Sequence, residues 1–362
     1  MSFSERRKKS GFVVPKLDND SPGYYKGTSS FESENFEAEI IRESADYGEL
    51  KLRSDGTILF SQEYPVVTLA DLKFHEQLGH GVQGTVYRCT HIPSGKEFAV
   101  KSIKYQDKSQ LQKTVDEIHS LRILRHPNVV HLFSAFAQKG SIHILMDLVN
   151  GASLGDYLKY SPIIPEPALH EITVQMIAGL RFCCKNHIIH RDIKPSNVML
   201  SLDGRIQIAD FGLARQLRDT GDFAQSVIGT TCYMSPERIR GQSYGLKSDV
   251  WSLGLILYQS CIGRYPFGEN KTHFWDLNFE TQNDIIVDLG PNYSPLLLDF
   301  IEKCLVMEQD DRATFEELNA HEWITNGSGS KDELVKWIQD ANQKRNIDLD
   351  AQRRSHDALF AH

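Results

Sequence analysis

The run His190-Arg191-Asp192-Ile193-Lys194-Pro195-Ser196-Asn197 is followed, a short hairpin later, by Asp210-Phe211-Gly212. Two carboxylates (Asp192, Asp210), an ammonium (Lys194) and a neutral amide (Asn197) thus stand close together along the chain. That set suits phosphate chemistry. Phosphoryl transfer passes through a loose transition state whose charge spreads over oxygens, so it asks for positioned carboxylates, cations and metal rather than for covalent catalysis. The oxygens of Asn197 and Asp210 are hard donors and suit Mg2+ over zinc or copper.

Upstream lie Gly79-His80-Gly81-Val82-Gln83-Gly84-Thr85-Val86 and then Phe98-Ala99-Val100-Lys101. Glycines let backbone fold over nucleotide phosphates with no Cβ in the way, and a lysine beneath them supplies a point charge. A lone GxGxxG string is weak. Here, however, β-branched Val86 follows within a strand pattern, where a dinucleotide-binding fold would begin a helix. From Leu69 to about Ile324 the chain resembles the eukaryotic protein kinase domain at every motif. The resemblance implies an α+β, two-lobed protein kinase fold, with a small β-rich N-lobe and a larger, mainly helical C-lobe. It also implies ATP and Mg2+ as cofactors.

Carried over motif by motif, the resemblance makes Asp192, Lys194, Lys101 and Glu117 the catalytic residues, with Asp192 accepting or orienting the proton of the substrate hydroxyl. Asn197 and Asp210 become metal ligands. The nucleotide falls to Leu78 and, at the phosphates, to Gly79, Gly81, Gly84 and Lys101. Val86, Ala99 and Met199 enclose the adenine, Met146, Asp147 and Val149 lie along the hinge, and Ser153 is a further ATP-binding residue. Glu117 stands on a helix whose buried face is Val115, Ile118, Leu121 and Leu124, capped by Asp107 or Ser109 and ending near Arg125. Lys101 is its natural partner; Asp116 is the second candidate, and a solvated helix charge is the plain alternative. His190 is expected to pack beneath Phe211 rather than to move protons. Glu237 of Ser235-Pro236-Glu237 is expected to pair with Arg312, and Asp249 to tie down the catalytic-loop backbone.

The chain has 362 residues, room for a catalytic domain of roughly 250 residues with flanking segments. We divide it into a disordered tail (1–37), an extension with a β-hairpin at Ser54-Asp55-Gly56 (38–68), the N-lobe and hinge (69–149), the C-lobe (150–325) and a helical tail (326–362). Pro167 to His187 should be one long amphipathic helix, and Lys331 to Ala341 another. A formal net charge of −8 argues against a nucleic-acid partner bound through a global basic surface. Six cysteines without metal-like spacing point to reduced thiols and no zinc. The absence of a long apolar run excludes a membrane-spanning helix, so the expected location is the cytoplasm, with shuttling to the nucleus.

A narrower resemblance follows from Gly229-Thr230-Thr231-Cys232-Tyr233-Met234-Ser235-Pro236-Glu237-Arg238-Ile239, which is similar to the mitogen-activated protein (MAP) kinase kinases, although Cys232 departs from the commoner residues there. Thr220 and Ser226 have the T-x5-S spacing of plant-type members, where animal members keep x3, and resemble their paired phosphorylation sites. At the amino terminus Arg6-Arg7-Lys8-Lys9 precedes Phe12-Val13-Val14. Cations followed by alternating apolar residues resemble a docking motif for a MAP kinase, with Phe12 and Val14 entering an apolar groove; a nuclear-localisation string or a solvated tail would have the same charges. The resemblance implies a dual-specificity enzyme acting on Thr and Tyr of a downstream MAP kinase and answering to an upstream MAP kinase kinase kinase. A single-specificity serine/threonine kinase and a non-catalytic ATP-binding scaffold are the alternatives.

Overall fold

The computed structural model describes residues 51–52, 57–59, 67–81, 84–106, 114, 118, 121, 124–138, 140–211, 231–267 and 287–359. The docking string, the hairpin turn, Asp116, Glu117, Thr220 and Ser226 lie outside them. The upper lobe is one seven-stranded antiparallel sheet, ordered β1-β2-β6-β7-β5-β4-β3. Its strands are β1 (Lys51–Leu52), β2 (Thr57–Leu59), β3 (Leu72–Gly81), β4 (Gly84–His91), β5 (Lys96–Lys104), β6 (Leu132–Gln138) and β7 (Ser141–Met146).

Side chains alternate across a strand, and this sheet buries apolar residues on both faces. On one face Ile103, Ala135, Ile142 and Ile144 pack with Ile118 and Leu121, both helical. The other face gathers Val67, Leu72, Phe98, Val100, Phe136 and Leu145. Burial on two sides is why β6 and β7 are mostly apolar and why the middle of β5 is buried without a break from Phe98 to Lys101, whereas edge strand β3 is exposed over most of its length. The strands on either side of the turn expected at Ser54-Asp55-Gly56, β1 and β2, pair with each other and join the sheet itself, β2 adding to β6 through Thr57↔Phe136 and Ile58↔Ala135.

The lower lobe is mainly helical. A small sheet, β8 (Gly151–Ser153), β9 (Val198–Ser201) and β10 (Ile206–Ile208), in the order β10-β9-β8, lies under the cleft. Around it stand α1 (Leu154–Leu158), α2 (Glu166–Lys185), α3 (Pro236–Ile239), α4 (Lys247–Ile262), α5 (Pro295–Cys304), α6 (Phe315–Asn319), α7 (Glu322–Asn326) and α8 (Lys331–Leu359). Helix α2 buries Ala168, Leu169, Ile172, Met176 and Leu180, the stripe its spacing announces. It stops at Lys185 rather than His187, whose φ of 59° leaves the helical region. Helix α4 buries residues on every side, from Val250 and Trp251 to Cys261, and so forms the axis of the lobe. Helix α8 runs to Leu359, well past the expected end at Ala341. Leu334, Trp337, Ile338 and Ala341 pack into the core, and further along polar pairs such as Gln352 Nε2 to Asp348 Oδ2 at 2.9 Å, one helical turn apart, accompany the continuing helix. No helix among the described residues is long and apolar enough to cross a membrane.

Candidate active site

The loop between α2 and β9 carries Asp192, and its backbone is held from below. The carboxylate of Asp249, in the first turn of α4, accepts the amides of His190 at 2.8 Å and Arg191 at 3.0 Å. Burial pushes the Asp249 carboxyl up, against the pull of these two amides. Burial likewise pushes the His190 imidazole down, so the ring is neutral at pH 7. A neutral ring offers one donor and one acceptor. His190 spends them fully: Nε2 donates to Ala209 O at 2.9 Å, and Nδ1 accepts from the amide of Asp192 at 3.2 Å. Its ring lies 4.5 Å from that of Phe211, matching the expected packing. Arg191, at φ 66°, makes the bend that turns Asp192 toward the cleft.

Around Asp192, which is 3% exposed, Lys194 Nζ stands 2.8 Å from Oδ2. Asn197 Nδ2 donates to the Asp192 carbonyl at 2.8 Å and to Oδ2 at 3.1 Å. With its nitrogen committed inward, Asn197 presents its amide oxygen as the atom that could meet a cation. From above, Lys101 on β5 reaches down to Asp210, with Nζ 2.7 Å from Oδ1. Lys101 is 1% exposed, and Asp210 takes a φ of 57°. The two lobes therefore meet at an ion pair between the expected phosphate-binding lysine and the expected metal ligand.

Strand register places the nucleotide candidates. Val86 faces Lys101 across β4–β5, Ala99 faces Met146 across β5–β7, and Ser153 faces Met199 across β8–β9. Leu78 is half-exposed at the end of β3. Asp147 turns away toward the loop before β6: its carboxylate accepts from His131 N at 3.0 Å and its amide donates to His131 O at 3.0 Å. The three glycines divide by cause. Among the described residues a Cβ on Gly79 or Gly81 would meet nothing within 4 Å, so space stands open beside the backbone there. Gly84, at φ 121°, would drive a Cβ to 2.3 Å from Ser102 O, so strand β5 itself demands glycine. Gly84→Ala is expected to destabilise the upper lobe by about 1–3 kcal/mol, the range for a forced backbone conformation; urea melts set beside Gly81→Ala, expected near wild type, check it.

Sequence reasoning passed over Arg238 on α3, whose NH1 donates to Arg191 O at 2.6 Å and whose guanidinium lies 5.1 Å over Tyr244. An arginine after Pro-Glu carries no signal of that contact. It also passed over the supports of the segment before α3. Ser252 Oγ donates to Tyr233 O at 2.7 Å, Tyr233 OH to Gln259 Oε1 at 2.5 Å, and Tyr265 OH to Cys232 O.

Residues 72–324 match the protein kinase domain family. The chain belongs to the protein kinase family. Within it, the relatives are MAP kinase kinases, and the chain belongs with them. It is 33% identical over 314 residues to mitogen-activated protein kinase kinase 2 of Arabidopsis thaliana, covering 81% of this chain and 86% of that protein. To the kinase kinase SIPKK of Nicotiana tabacum it is 34% identical, covering 80% and 87%. To the dual specificity mitogen-activated protein kinase kinase dSOR1 of Drosophila melanogaster it is 32% identical, covering 82% and 81%. The enzyme is an ATP-dependent protein kinase, and the family implies a divalent metal. The residues fit one. Asn197, its nitrogen turned to Asp192, and Asp210 beneath Lys101 would offer one amide oxygen and one carboxylate, which would share the ion with phosphate oxygens, the usual division for a small hard cation with a nucleotide.

Proposed function

We propose that this kinase transfers the γ-phosphoryl group of Mg2+-ATP to Thr and Tyr in the activation loop of a MAP kinase, and is itself switched on by phosphorylation at Thr220 and Ser226. The observation that carries the catalytic part is the convergence of Lys101, Asp192, Lys194, Asn197 and Asp210 on one cleft from sequence positions far apart. In this reading Asp192 aligns the substrate hydroxyl and takes its proton, and Lys194, already beside Asp192, balances charge on the transferring phosphoryl. Lys101 holds the α- and β-phosphates, with Glu117 as its further partner. Asn197 and Asp210 would hold Mg2+, which when bound draws charge from the phosphate oxygens. Leu78, the glycines, Val86, Ala99, Met146, Val149, Ser153 and Met199 enclose the nucleotide; Asp147 supports the hinge. The names of the relatives and the Tyr-Met-Ser-Pro-Glu-Arg string support the substrate tier. The T-x5-S pair supports the mode of activation by an upstream kinase, and Arg6 to Val14 supports docking of the substrate, with the enzyme working in the cytoplasm and shuttling to the nucleus.

Phosphoamino-acid analysis tests the reading. Protein carrying Thr220→Glu and Ser226→Asp is expected to phosphorylate an inactive MAP kinase on both threonine and tyrosine. It should do so about tenfold faster than the unphosphorylated wild type, the equivalent of roughly one new charge-assisted hydrogen bond. Deletion of Met1–Pro15 is expected to raise KM for the MAP kinase and to leave a short peptide substrate unaffected. Phosphothreonine alone would return the enzyme to the single-specificity class, and an unchanged KM would remove the docking role.

A further inference from the structure

The loop that enters β6 belongs by its chain position to the upper lobe, yet it is fastened to the lower one. Val130 N donates to Ile208 O at 2.9 Å and Ile208 N donates to Asn128 O at 2.9 Å, a parallel bridge onto β10. Helix α2 comes close enough that a Cβ on Gly179 would stand 2.8 Å from Asn128 O. The Asn128 side chain donates to Ile206 O at 2.8 Å and to Gln175 Oε1 at 3.0 Å. Gln175 then completes a node: Oε1 also accepts from Ile206 N at 2.8 Å, and Nε2 donates to Gly204 O at 3.0 Å. One amide on α2 thereby holds the interlobe loop, the first residue of β10 and the turn before it.

That turn closes the hairpin whose open end bears the metal candidates. Strand β9 begins directly after Asn197 and β10 ends two residues before Asp210. The two ends are bound together by the Val198↔Ile208 pair and by Ala209 N to Asn197 O at 2.8 Å. A short, hydrogen-bonded hairpin held at its turn transmits a tilt to its other end. Helix α8 presses on the same turn, where a Cβ on Gly204 would lie 3.0 Å from Val335 Cγ2. We infer that Gln175 is a positioning residue for phosphoryl transfer: through the β9–β10 turn it sets where Asn197 and Asp210 stand beneath Lys101, and so the affinity for metal-bound ATP. The inference rests on the assignment of Asn197 and Asp210 to the metal. The plain alternative is a helix glutamine that merely satisfies nearby backbone, and the two differ in what they do to the kinetics.

Steady-state rates of the full chain, with Mg2+-ATP and protein substrate varied in turn, separate them. Gln175→Ala is expected to raise KM for Mg2+-ATP about tenfold, to leave KM for the protein substrate within about twofold, and to be no worse when combined with Asn128→Ala, because both act through one node. Gln175→Glu keeps both accepted hydrogen bonds but replaces the donation to Gly204 O by a carboxylate oxygen facing a carbonyl oxygen, which pushes the turn away; it is expected to raise KM for Mg2+-ATP about threefold or more, and it decides the matter if the alanine variant does not fold. A lowered melting temperature with KM for Mg2+-ATP within twofold of wild type, or an equal rise in both KM values, overturns the inference. Asn197→Ala in the same series reports on the metal assignment: a raised Mg2+ concentration for half-maximal turnover, apart from the fall in rate that a loosened Asp192 would cause, upholds it, and a wild-type Mg2+ dependence overturns both.

Discussion

Replacing Asp192 by asparagine is expected to lower the rate of phosphoryl transfer by about 10^2- to 10^4-fold, the usual worth of a positioned proton acceptor, while the affinity for ATP stays within about twofold. The geometry makes this substitution unusually clean. Lys194 Nζ and Asn197 Nδ2 both address the same oxygen, Oδ2, at 2.8 and 3.1 Å. An asparagine can keep those contacts with its single oxygen and place its NH2 where Oδ1 was, so the loop stays seated on Asp249 and His190. What disappears is the carboxylate as acceptor for a substrate hydroxyl. Lys101 and Asp210, the expected phosphate and metal groups, are joined to each other at 2.7 Å and are not disturbed. Single-turnover phosphorylation beside a nucleotide titration gives the readout. Equal transfer by wild type and Asp192→Asn would overturn the role assigned to Asp192, and a parallel loss of ATP binding would mean that the loop had collapsed.

The parts of this fold that could be read in the sequence are those where chemistry confines residue type locally. Asp192, Asn197 and Asp210 stand in short strings, the two glycines beside open space stand in another, and the apolar stripe of α2 repeats within a single helix. The supporting contacts are different. Gln175 meets Asn128 and Gly204, and Arg238 meets Arg191, only because separate elements are brought together, and neither a lone glutamine nor a lone arginine is unusual where it stands. Helix α8 shows the same limit from another side. Its continuation past Ala341 goes with helical propensity and polar pairing, in a stretch without the apolar periodicity that signals a packed helix. The hairpin was legible as alternating strands; its seat on the edge of β6 was not, since an edge accepts any strand through its backbone. Asp249 and Glu237 were legible for the opposite reason, because an acidic residue within an otherwise buried segment needs a partner wherever it goes.

Glu237 and its partner give the largest expected effect on stability. Arg312 NH1 and NH2 meet Glu237 Oε1 and Oε2 at 2.9 and 3.0 Å, and Ser248 Oγ donates to Oε1 at 2.7 Å. The guanidinium also donates to the carbonyls of Val306, Lys247 and Met307 and lies 5.0 Å over the ring of Trp251. The side chains are 0% and 6% exposed. Burial alone would push the Glu237 carboxyl up, but Arg312 and the Ser248 hydroxyl outweigh it and hold the group at about 2, below its ordinary 4.5. At about 1.4 kcal/mol per pH unit this is roughly 3 kcal/mol of stability. Because the folded value is depressed, that contribution is complete above pH 4.5 and is lost as the pH falls toward 2. Arg312→Leu leaves a buried carboxylate without its counter-charge and is expected to cost about 3–5 kcal/mol at pH 7. In that variant burial prevails and the folded carboxyl rises above its ordinary value, so the sign reverses: protonation relieves the folded state, and the gap to wild type narrows as the pH falls from 7 toward 4. Replacing both partners by apolar residues is expected to recover most of the loss, since no buried charge then remains unpaired. The same loosening reaches the catalytic loop, because Glu237 neighbours Arg238, which holds Arg191 O, so activity at a temperature where Arg312→Leu remains folded should also fall. Urea melts of wild type, Arg312→Leu and the double variant across this pH range decide the case; a gap that stays constant with pH would mean that the cost of Arg312→Leu is lost packing on Trp251 and lost carbonyl contacts rather than an uncompensated Glu237.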